Sequence, residues 1–414
     1  MKLTKRTIEI IEPPAELLQK YAELLVNFAL GGGVGIKPDE VVWVEGSEAC
    51  RPLFLAVIRQ VWKSGGHVIS DYATDIFQPS DNIMKEFYQN ASQQQLEHFN
   101  RKYFKGLADQ VDHRLAILCD TDLRALAEVD PAKLMRRGEV SKPFYDWLDV
   151  KENAGKFTWT LALYGTEQMA KEAGLSLAEY WQQIEEACYL DHAEPIKQWQ
   201  KLYKEIDRIS QTLNDMEIES VHVVGADVDL KLTIGKERKW CGGRGRNIPS
   251  YEIFTSPDWR GTEGWIRINQ PLYRYGNIVE GIELWFEKGR VVKSKAAKNQ
   301  KVLREMIATK NADRLGEFSM TDADHSRITK FMAETLFDEN MGGRFGNSHV
   351  ALGMAYKDCF KGDPTKLKKA DWEKLGYNDS SVHTDVVTTT DRTVTASLPD
   401  GSQKVIYRGG HFTV

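Results

Sequence analysis

A sparse set of residues able to bind a metal ion occurs from residue 252 onward in this 414-residue chain. Carboxylates together with a few imidazoles suit a divalent cation that activates water. The closest pair is His383 and Asp385, which point the same way if the segment is extended, because side chains of a strand alternate. This pair alone is a weak signal, since short motifs often occur by chance. The candidate ligands are Glu252, Glu317, Glu339, His349, His383 and Asp385, with the phenol Tyr356 among them.

The acidic candidates also have ordinary structural explanations. Glu252 stands among apolar residues and prolines, and a buried carboxylate there needs a partner such as Arg244 or Arg246. Glu317 precedes a predicted helix, whose first turn favours acids. Glu339 follows that helix and fits a solvated helix end. Local pattern therefore leaves ion pairing and metal binding open for these residues.

His349 and Tyr356 are separated by seven residues, which places them on one face if the segment is helical. A histidine or tyrosine on an apolar face is most often a hydrogen-bonded core residue. The glycine-rich run 242–246 lacks the Gly-Lys-Ser/Thr of a P-loop, so it is a weak candidate for a phosphate site. Core packing and catalysis both remain open for the histidine and the tyrosine.

The composition indicates a folded protein with a large core. Hydrophobic residues make up 42% of the chain, the formal net charge is −5, and no basic block favours a nucleic-acid partner. Five widely spaced cysteines argue against a disulfide scaffold or a structural zinc site. The residues after Met1–Arg6 are not an apolar signal segment, and no run approaches the roughly 18 apolar residues of a membrane span. We expect a cytoplasmic protein without a membrane partner.

Apolar patterning in the first half predicts an α/β layer. A helix begins after Pro13-Pro14 and ends at the glycines 31–33. Short apolar runs predict strands, and a helical pattern between the first two favours parallel pairing. Helical patterns then dominate residues 143–213. The predicted strands are 41–44, 68–70 and 114–119, with the intervening helix at 49–62.

The pattern changes near residue 221, where apolar and polar residues begin to alternate as in a half-buried antiparallel strand. Alternation over 224–234 predicts one long strand. We therefore predict an N-terminal α/β domain with a parallel sheet, residues 1–218, and a C-terminal α+β metal-binding domain with a mostly antiparallel sheet, residues 219–414. Further predicted elements are strands at 265–268, hairpins at 282–294 and 393–407, and helices at 295–307 and 322–337.

Five motifs occur in a fixed order along the chain. They are Asn-Ile-Pro-x-x-Glu-Ile-Phe-Thr-Ser-Pro, Leu-Gly-Glu-Phe, Leu-Phe-Asp-Glu-Asn, Asn-Ser-His-Val-Ala-Leu-Gly-x-Ala-Tyr and Val-His-Thr-Asp. Together they resemble the thermophilic metalloaminopeptidase family (M29), which includes aminopeptidases T and S. The resemblance spans most of the chain and is strongest from residue 221 onward. The ordered set is specific, whereas each motif alone is not.

The resemblance implies two adjacent divalent metal ions in the C-terminal domain. The residues that match the family's metal ligands are Glu252, Glu317, Glu339, His349, His383 and Asp385. Tyr356 matches a tyrosine at the metal centre, where the phenol binds either a metal ion or the reacting oxygen. A carboxylate must then carry the proton to the leaving amine, and Glu317 and Glu252 are the two candidates. Residues 341–348 look like an insertion between the acid Glu339 and the histidine His349.

The expected function is a metal-dependent aminopeptidase that hydrolyses the N-terminal bond of peptides through water activated by two metals. The resemblance also implies broad specificity and a homodimer. Carboxylate and imidazole ligands admit zinc, cobalt, manganese or magnesium. One alternative is another dinuclear metal-dependent hydrolase, an amidase or a phosphoesterase, for which Arg244 or Arg246 would bind phosphate. A second alternative is a binding module without catalysis, in which the acids form structural ion pairs.

Overall fold

The structure, a computed structural model, describes residues 13–74, 82–235 and 237–414. The segment Met1–Arg6, discussed above, lies outside the described residues. Within them, no helix combines the length and the apolar character that a bilayer span requires. The helices are α1 (Ala15–Leu24), α2 (Leu30–Gly33), α3 (Arg51–Lys63), α4 (Ile83–Asn90), α5 (Gln93–Leu96), α6 (Arg101–Gln110), α7 (Pro131–Asn153), α8 (Glu167–Glu172), α9 (Leu177–Ala187), α10 (Pro195–Asp215), α11 (Gln300–Ala308), α12 (Thr335–Asp338) and α13 (Lys369–Lys374).

The N-terminal half is built on the predicted parallel sheet. Its helix α1 follows Pro14, continues as a π-helical turn at Leu25–Ala29, and ends where Gly31 and Gly32 both adopt φ of 70°, a conformation that glycine tolerates. Strand order is β2-β1-β3-β4, followed by a fifth strand, β8, from the second half of the chain. All neighbours in this sheet are parallel. The first four strands are β1 (Val41–Ser47), β2 (His67–Ala73), β3 (His113–Leu118) and β4 (Thr158–Leu163).

Antiparallel strands dominate the second half, so the predicted fold class is confirmed. An eight-stranded sheet has the order β14-β13-β10-β6-β5-β18-β19-β20, and a five-stranded sheet has the order β17-β16-β15-β9-β7. We call the five-stranded one the site sheet. The strands are β5 (Ser220–Gly225), β6 (Val228–Thr233), β7 (Cys241–Gly242), β8 (Asn247–Ile248), β9 (Glu252–Thr255), β10 (Asp258–Arg267), β11 (Leu272–Arg274), β12 (Asn277–Val279), β13 (Glu283–Glu287), β14 (Arg290–Lys295), β15 (Leu315–Thr321), β16 (Asn347–Gly353), β17 (His383–Thr388), β18 (Arg392–Ser397), β19 (Gln403–Arg408) and β20 (His411–Phe412).

Three local predictions are wrong. The alternation over 224–234 is not one strand but the hairpin β5–β6, because Val221 and Val223 are buried before the turn while Val224 is 45% exposed. The segment 322–337 is mostly irregular and only α12 is helical. Strand β4 lies inside a region predicted to be helical. Its β-branched and aromatic residues favour a strand, but its neighbouring helices obscured that signal.

The connection between the halves places the two sheets side by side. The chain leaves α10 at Asp215 and enters β5 at Ser220, so the predicted division at 218/219 falls in a short link and stays a prediction. Strand β8 then returns to the parallel sheet, where Asn247 is paired with Leu161. Four residues later β9 begins at Glu252 in the site sheet. This crossing segment brings the parallel sheet next to the face that carries the candidate ligands.

Candidate metal centre

The site sheet presents five of the candidate ligands on one face. Glu252 lies opposite Thr321, and His349 lies opposite Ser319. Glu317, Ser319 and Thr321 are alternate residues of β15, so their side chains point to the same face. On the next strand Asp385 lies opposite Ala351 and His383 lies opposite Gly353. Opposed residues of antiparallel strands share a face, and alternate residues along each strand do so too. Four neighbouring strands therefore deliver three carboxylates and two imidazoles to the same place.

Their polar atoms lie close together. The ring Nε2 of His349 is 3.4 Å from Glu252 Oε2 and 3.9 Å from both Glu317 Oε1 and Asp385 Oδ1. The Nε2 of His383 is 3.2 Å from Glu317 Oε2 and 3.4 Å from Asp385 Oδ1. These contacts divide into two groups, Glu252–Glu317–His349 and Glu317–His383–Asp385, with the ligand atoms of each within 4.8 Å of one another. Glu317 belongs to both groups.

Glu339 reaches the cluster from outside the sheet. It follows α12, is 7% exposed, and forms a third such group with His349 and Asp385. Its Oε1 accepts a hydrogen bond of 3.0 Å from the side chain of Asn247. The predicted insertion, 341–348, folds back on this acid, since the side-chain amide of Asn347 donates to the Glu339 carbonyl at 2.6 Å. A solvated helix end, the ordinary alternative for Glu339, is therefore excluded.

The arginines expected as alternative partners of Glu252 are engaged elsewhere. Arg244 pairs with Asp207 at 3.1 Å, and Arg246 pairs with Glu152 and Asp358, both at 2.8 Å. Glu252 instead accepts a hydrogen bond of 2.9 Å from the hydroxyl of Ser319. Its side chain is buried, so a negative charge on Glu252 must be balanced by the imidazole of His349 and by a cation bound in the site.

The electrostatics of this cluster fit a divalent cation. No lysine or arginine of the described chain forms an ion pair with Glu252, Glu317, Glu339 or Asp385, so two imidazoles face four acids. Burial, with Glu317 beside it, raises the pKa of Glu252 to about 7. Burial, with Asp385 beside it, holds the pKa of Glu339 well above its usual range. Buried acids without cationic partners are strongly unfavourable, and oxygen and imidazole donors suit hard or borderline metal ions.

The two imidazoles are oriented for binding. The Nδ1–H of His383 donates to the carbonyl of Met354 at 2.8 Å, so Nε2 is the ring atom that faces the acids. Burial alone would lower the pKa of this imidazole, yet Asp385 and Glu317 raise it well above its usual range, so a metal ion would displace a proton from Nε2. Burial alone would lower the pKa of His349, yet the hydrogen bond with Glu317 and the charge of Glu252 raise it to about 9. A field that attracts a proton this strongly also attracts a metal cation. His349 lies in strand β16. The shared face that a helix would give His349 and Tyr356 therefore does not occur.

Tyr356 lies at the edge of the cluster, just beyond β16. Its ring centroid is 4.7 Å from that of His383 and 5.7 Å from that of Phe254, and its backbone N–H donates to Ser256 Oγ at 2.8 Å. Burial, together with the charges of Glu317 and Asp385, holds its phenol pKa well above the usual range. The phenol therefore keeps its proton at neutral pH, which leaves its O–H able to donate a hydrogen bond.

A cavity of about 460 Å³ opens onto these residues. The site sheet forms one wall, and Leu118 of β3 and Leu161 of β4, from the parallel sheet, contribute another. Trp159 and Phe157 give part of the lining an aromatic character.

Sequence reasoning missed the residues that hold the ligands. Ser319 donates to Glu252 and lies two positions after Glu317 on the same strand face, so strand alternation contains a signal for it. Asn247 donates to Glu339 across 92 positions of sequence, which no local pattern indicates. Neither residue is acidic or an imidazole, so a search for metal ligands passes over both.

Replacing Asn247 with alanine is expected to weaken metal binding by about 10- to 100-fold, because partners that orient a ligating carboxylate tune its affinity. Competition with a chelating dye measures this change. Asn269→Ala removes an exposed amide that bonds Thr389 and serves as the control. Unchanged metal affinity in Asn247→Ala would show that Glu339 needs no support from this amide.

Known proteins similar to this chain are metalloproteases and aminopeptidases. The model of the thermophilic metalloprotease family (M29) matches residues 15–412. Aminopeptidase PepS of Streptococcus thermophilus is 25% identical over 96% of this chain and 98% of its own length. Aminopeptidase T of Thermus thermophilus is 30% identical over 73% of this chain and 76% of its own. The solved structure of wild-type AmpT from Thermus thermophilus has a TM-score of 0.78 at 24% identity, covering 96% of this chain and 99% of that one.

This chain belongs to the thermophilic metalloprotease family M29, because the family model covers nearly its whole length. The resemblance drawn from the five motifs is thus confirmed. The predicted enzyme class, a hydrolase of the metalloaminopeptidase type, is confirmed at the level of the family and its named relatives. Family membership also implies a divalent metal, in agreement with the clustered acids and imidazoles.

Proposed function

We propose that this protein is a metal-dependent aminopeptidase which removes the N-terminal residue of peptides and binds two divalent ions per chain. The observation that carries the proposal is Glu317, which is shared by two groups of ligands on one face of the site sheet. Glu252 and His349 complete one group, and His383 and Asp385 complete the other. Glu339 lies close to His349 of the first group and Asp385 of the second. The metal is one of zinc, cobalt, manganese and magnesium. A homodimer and a cytoplasmic location stay predictions.

Two ions bound by these residues would supply a nucleophilic water of lowered pKa and polarise the scissile carbonyl. Residues of the chain would transfer the proton, recognise the free N-terminus and accommodate the side chain of the residue that is released. Glu317 accepts the proton of the attacking water and passes it toward the leaving amine. The acids of the cluster give the free α-ammonium group of a substrate a negatively charged environment, which favours an unblocked N-terminus. The apolar and aromatic part of the cavity accommodates the side chain of the residue that is released.

Tyr356 donates a hydrogen bond to the oxygen that becomes negative during attack. Tyr356→Phe removes this donor and keeps the ring, so kcat is expected to fall by about 10²- to 10³-fold while metal content is unchanged. Steady-state kinetics with metal analysis checks this. Tyr103→Phe, in an exposed tyrosine, is the matched control. Full activity of Tyr356→Phe would exclude the phenol from the reaction.

Hydrolysis of leucyl-p-nitroanilide, with its amine free or acetylated, tests the proposed function. The wild type should release p-nitroaniline from the free-amine compound and leave the acetylated one intact. His383→Ala should lose both bound metal and activity while it remains folded. Equal rates on the two compounds, or activity without metal, would contradict an aminopeptidase. Hydrolysis of p-nitrophenyl phosphate instead would favour a phosphoesterase, although Arg244 and Arg246 are both paired with acids.

A further inference from the structure

Arg274 lines the cavity beside the ligand cluster and is exposed. It ends β11, and its Nη2 donates to the backbone carbonyl of His383 at 3.1 Å. The guanidinium also lies over the ring of Tyr275, 5.2 Å from the ring centroid. Its side chain also forms a hydrogen bond with the side chain of Tyr275. Arginine carries five N–H donors, so among the described residues these contacts leave donors of Arg274 for a ligand.

Other arginines of the cavity wall are neutralised by acids. Arg114 pairs with Glu45, and Arg246 pairs with Glu152 and Asp358. Arg274 forms no ion pair with any residue in the described part of the chain, since His383 supplies only a carbonyl. The charge of Asp385 acts on Arg274 from a distance, but the two residues form no ion pair. A guanidinium that faces a binding cavity and forms no ion pair keeps donors for an anion. Bidentate binding of a carboxylate matches its planar fork of donors.

The hairpin that carries Arg274 is held in place. Strands β11 and β12 are joined by Tyr275 and Gly276, whose φ angles of 55° and 59° are those of a tight hairpin turn. The carbonyl of Gly276 accepts a hydrogen bond of 3.3 Å from the backbone N–H of Leu126, in the N-terminal half. A side chain at this glycine would come within 2.7 Å of that nitrogen. The turn therefore packs against the N-terminal half at Leu126, which fixes the hairpin that carries Arg274 before substrate arrives.

We propose that Arg274 binds the C-terminal carboxylate of short peptides, so that the preferred substrates have two or three residues. This inference rests on the proposed aminopeptidase function. The guanidinium contacts the main chain of His383, whose ring faces Glu317 and Asp385. A peptide whose free amine lies among those acids advances roughly 3.5 Å per residue. Its carboxylate reaches Arg274 after few residues, and a longer peptide would place an uncharged amide there.

The test compares leucylglycine with leucylglycinamide, which differ only in the charge at the C-terminal end. The wild type should cleave the free acid with a kcat/KM about 10- to 100-fold higher, mainly through KM, because a hydrogen bond to a charged group is being gained. Arg274→Ala should remove this preference by losing affinity for the acid alone. Arg274→Gln should do the same with a side chain of similar length. Arg274→Lys should retain part of the preference.

Arg267→Ala is the control, since this exposed arginine pairs with Glu283 in the eight-stranded sheet. Metal content and thermal unfolding verify that each variant is intact. Equal kcat/KM for acid and amide in the wild type would overturn the proposal for Arg274 while leaving aminopeptidase activity in place. An equal fall for both peptides in Arg274→Ala would also overturn it, because the guanidinium would then act at the scissile bond. Hydrolysis of neither peptide would overturn the proposed function and this inference together.

Discussion

Replacing Glu317 with glutamine is expected to lower kcat/KM for leucyl-p-nitroanilide by about 10³-fold or more. The residue is 3% exposed, lies between the two histidines and belongs to both groups of ligands. The amide keeps the volume but removes the charge and the proton acceptor. Metal content should therefore fall at the same time as the rate. Steady-state kinetics and metal analysis by mass spectrometry on the same preparation measure both quantities.

Glu287→Gln provides the matched control for this variant, since it makes the same chemical change at an exposed position at the end of β13. Circular dichroism should show that both variants keep the wild-type fold. Loss of rate with full metal occupancy would assign Glu317 to proton transfer alone. A Glu317→Gln enzyme with more than a tenth of the wild-type rate would contradict its position between the two ions.

Removal of metal by a chelator is the second change with a large expected effect. Activity should disappear, and Tm should fall by roughly 10 °C, because an ion held at about 1,000 times its Kd stabilises the fold by about 4 kcal/mol. Without the ion, the four buried or half-buried acids repel one another with two imidazoles between them. Differential scanning calorimetry before and after chelation measures the shift.

Addition of zinc, cobalt, manganese or magnesium to the metal-free protein should restore both properties. The ion that restores them at the lowest concentration identifies the preferred metal. Retention of full activity and an unchanged Tm after complete chelation would contradict a metal-dependent reaction. A shift in Tm without loss of activity would indicate a structural ion only.

Only one strand of the site sheet was predictable from sequence, since Glu252, Glu317 and His349 were not expected in strands. The His383–Asp385 spacing indicated a shared strand face, and the structure places both in β17. The parallel strands of the first half and the hairpin β13–β14 also follow from local apolar patterns. These features depend on neighbours in sequence, which alternation and turn residues encode. The order of the five motifs then indicated that distant segments act together.

Features made by distant contacts were not predictable in the same way. The position of Glu339 depends on an amide from Asn247 and on the folding back of Asn347. The division into β5 and β6 depends on which alternate residues find a core, and the alternation itself continues through the turn. The absence of an ion pair at Arg274 among the described residues becomes visible only when the positions of the surrounding acids are known. Each of these features depends on burial and on contacts between residues far apart in sequence, and the residue types alone do not indicate such contacts.

The central claim is that six residues of this chain hold two adjacent metal ions. Anomalous diffraction from crystals of the metal-loaded protein, collected on either side of the metal absorption edge, tests it most directly. We predict two peaks within the cluster, one beside Glu252 and His349, the other beside His383 and Asp385, with Glu317 between them. A single peak, or peaks only at the separate group Asp322–Asp324–His411, would contradict the two-metal centre.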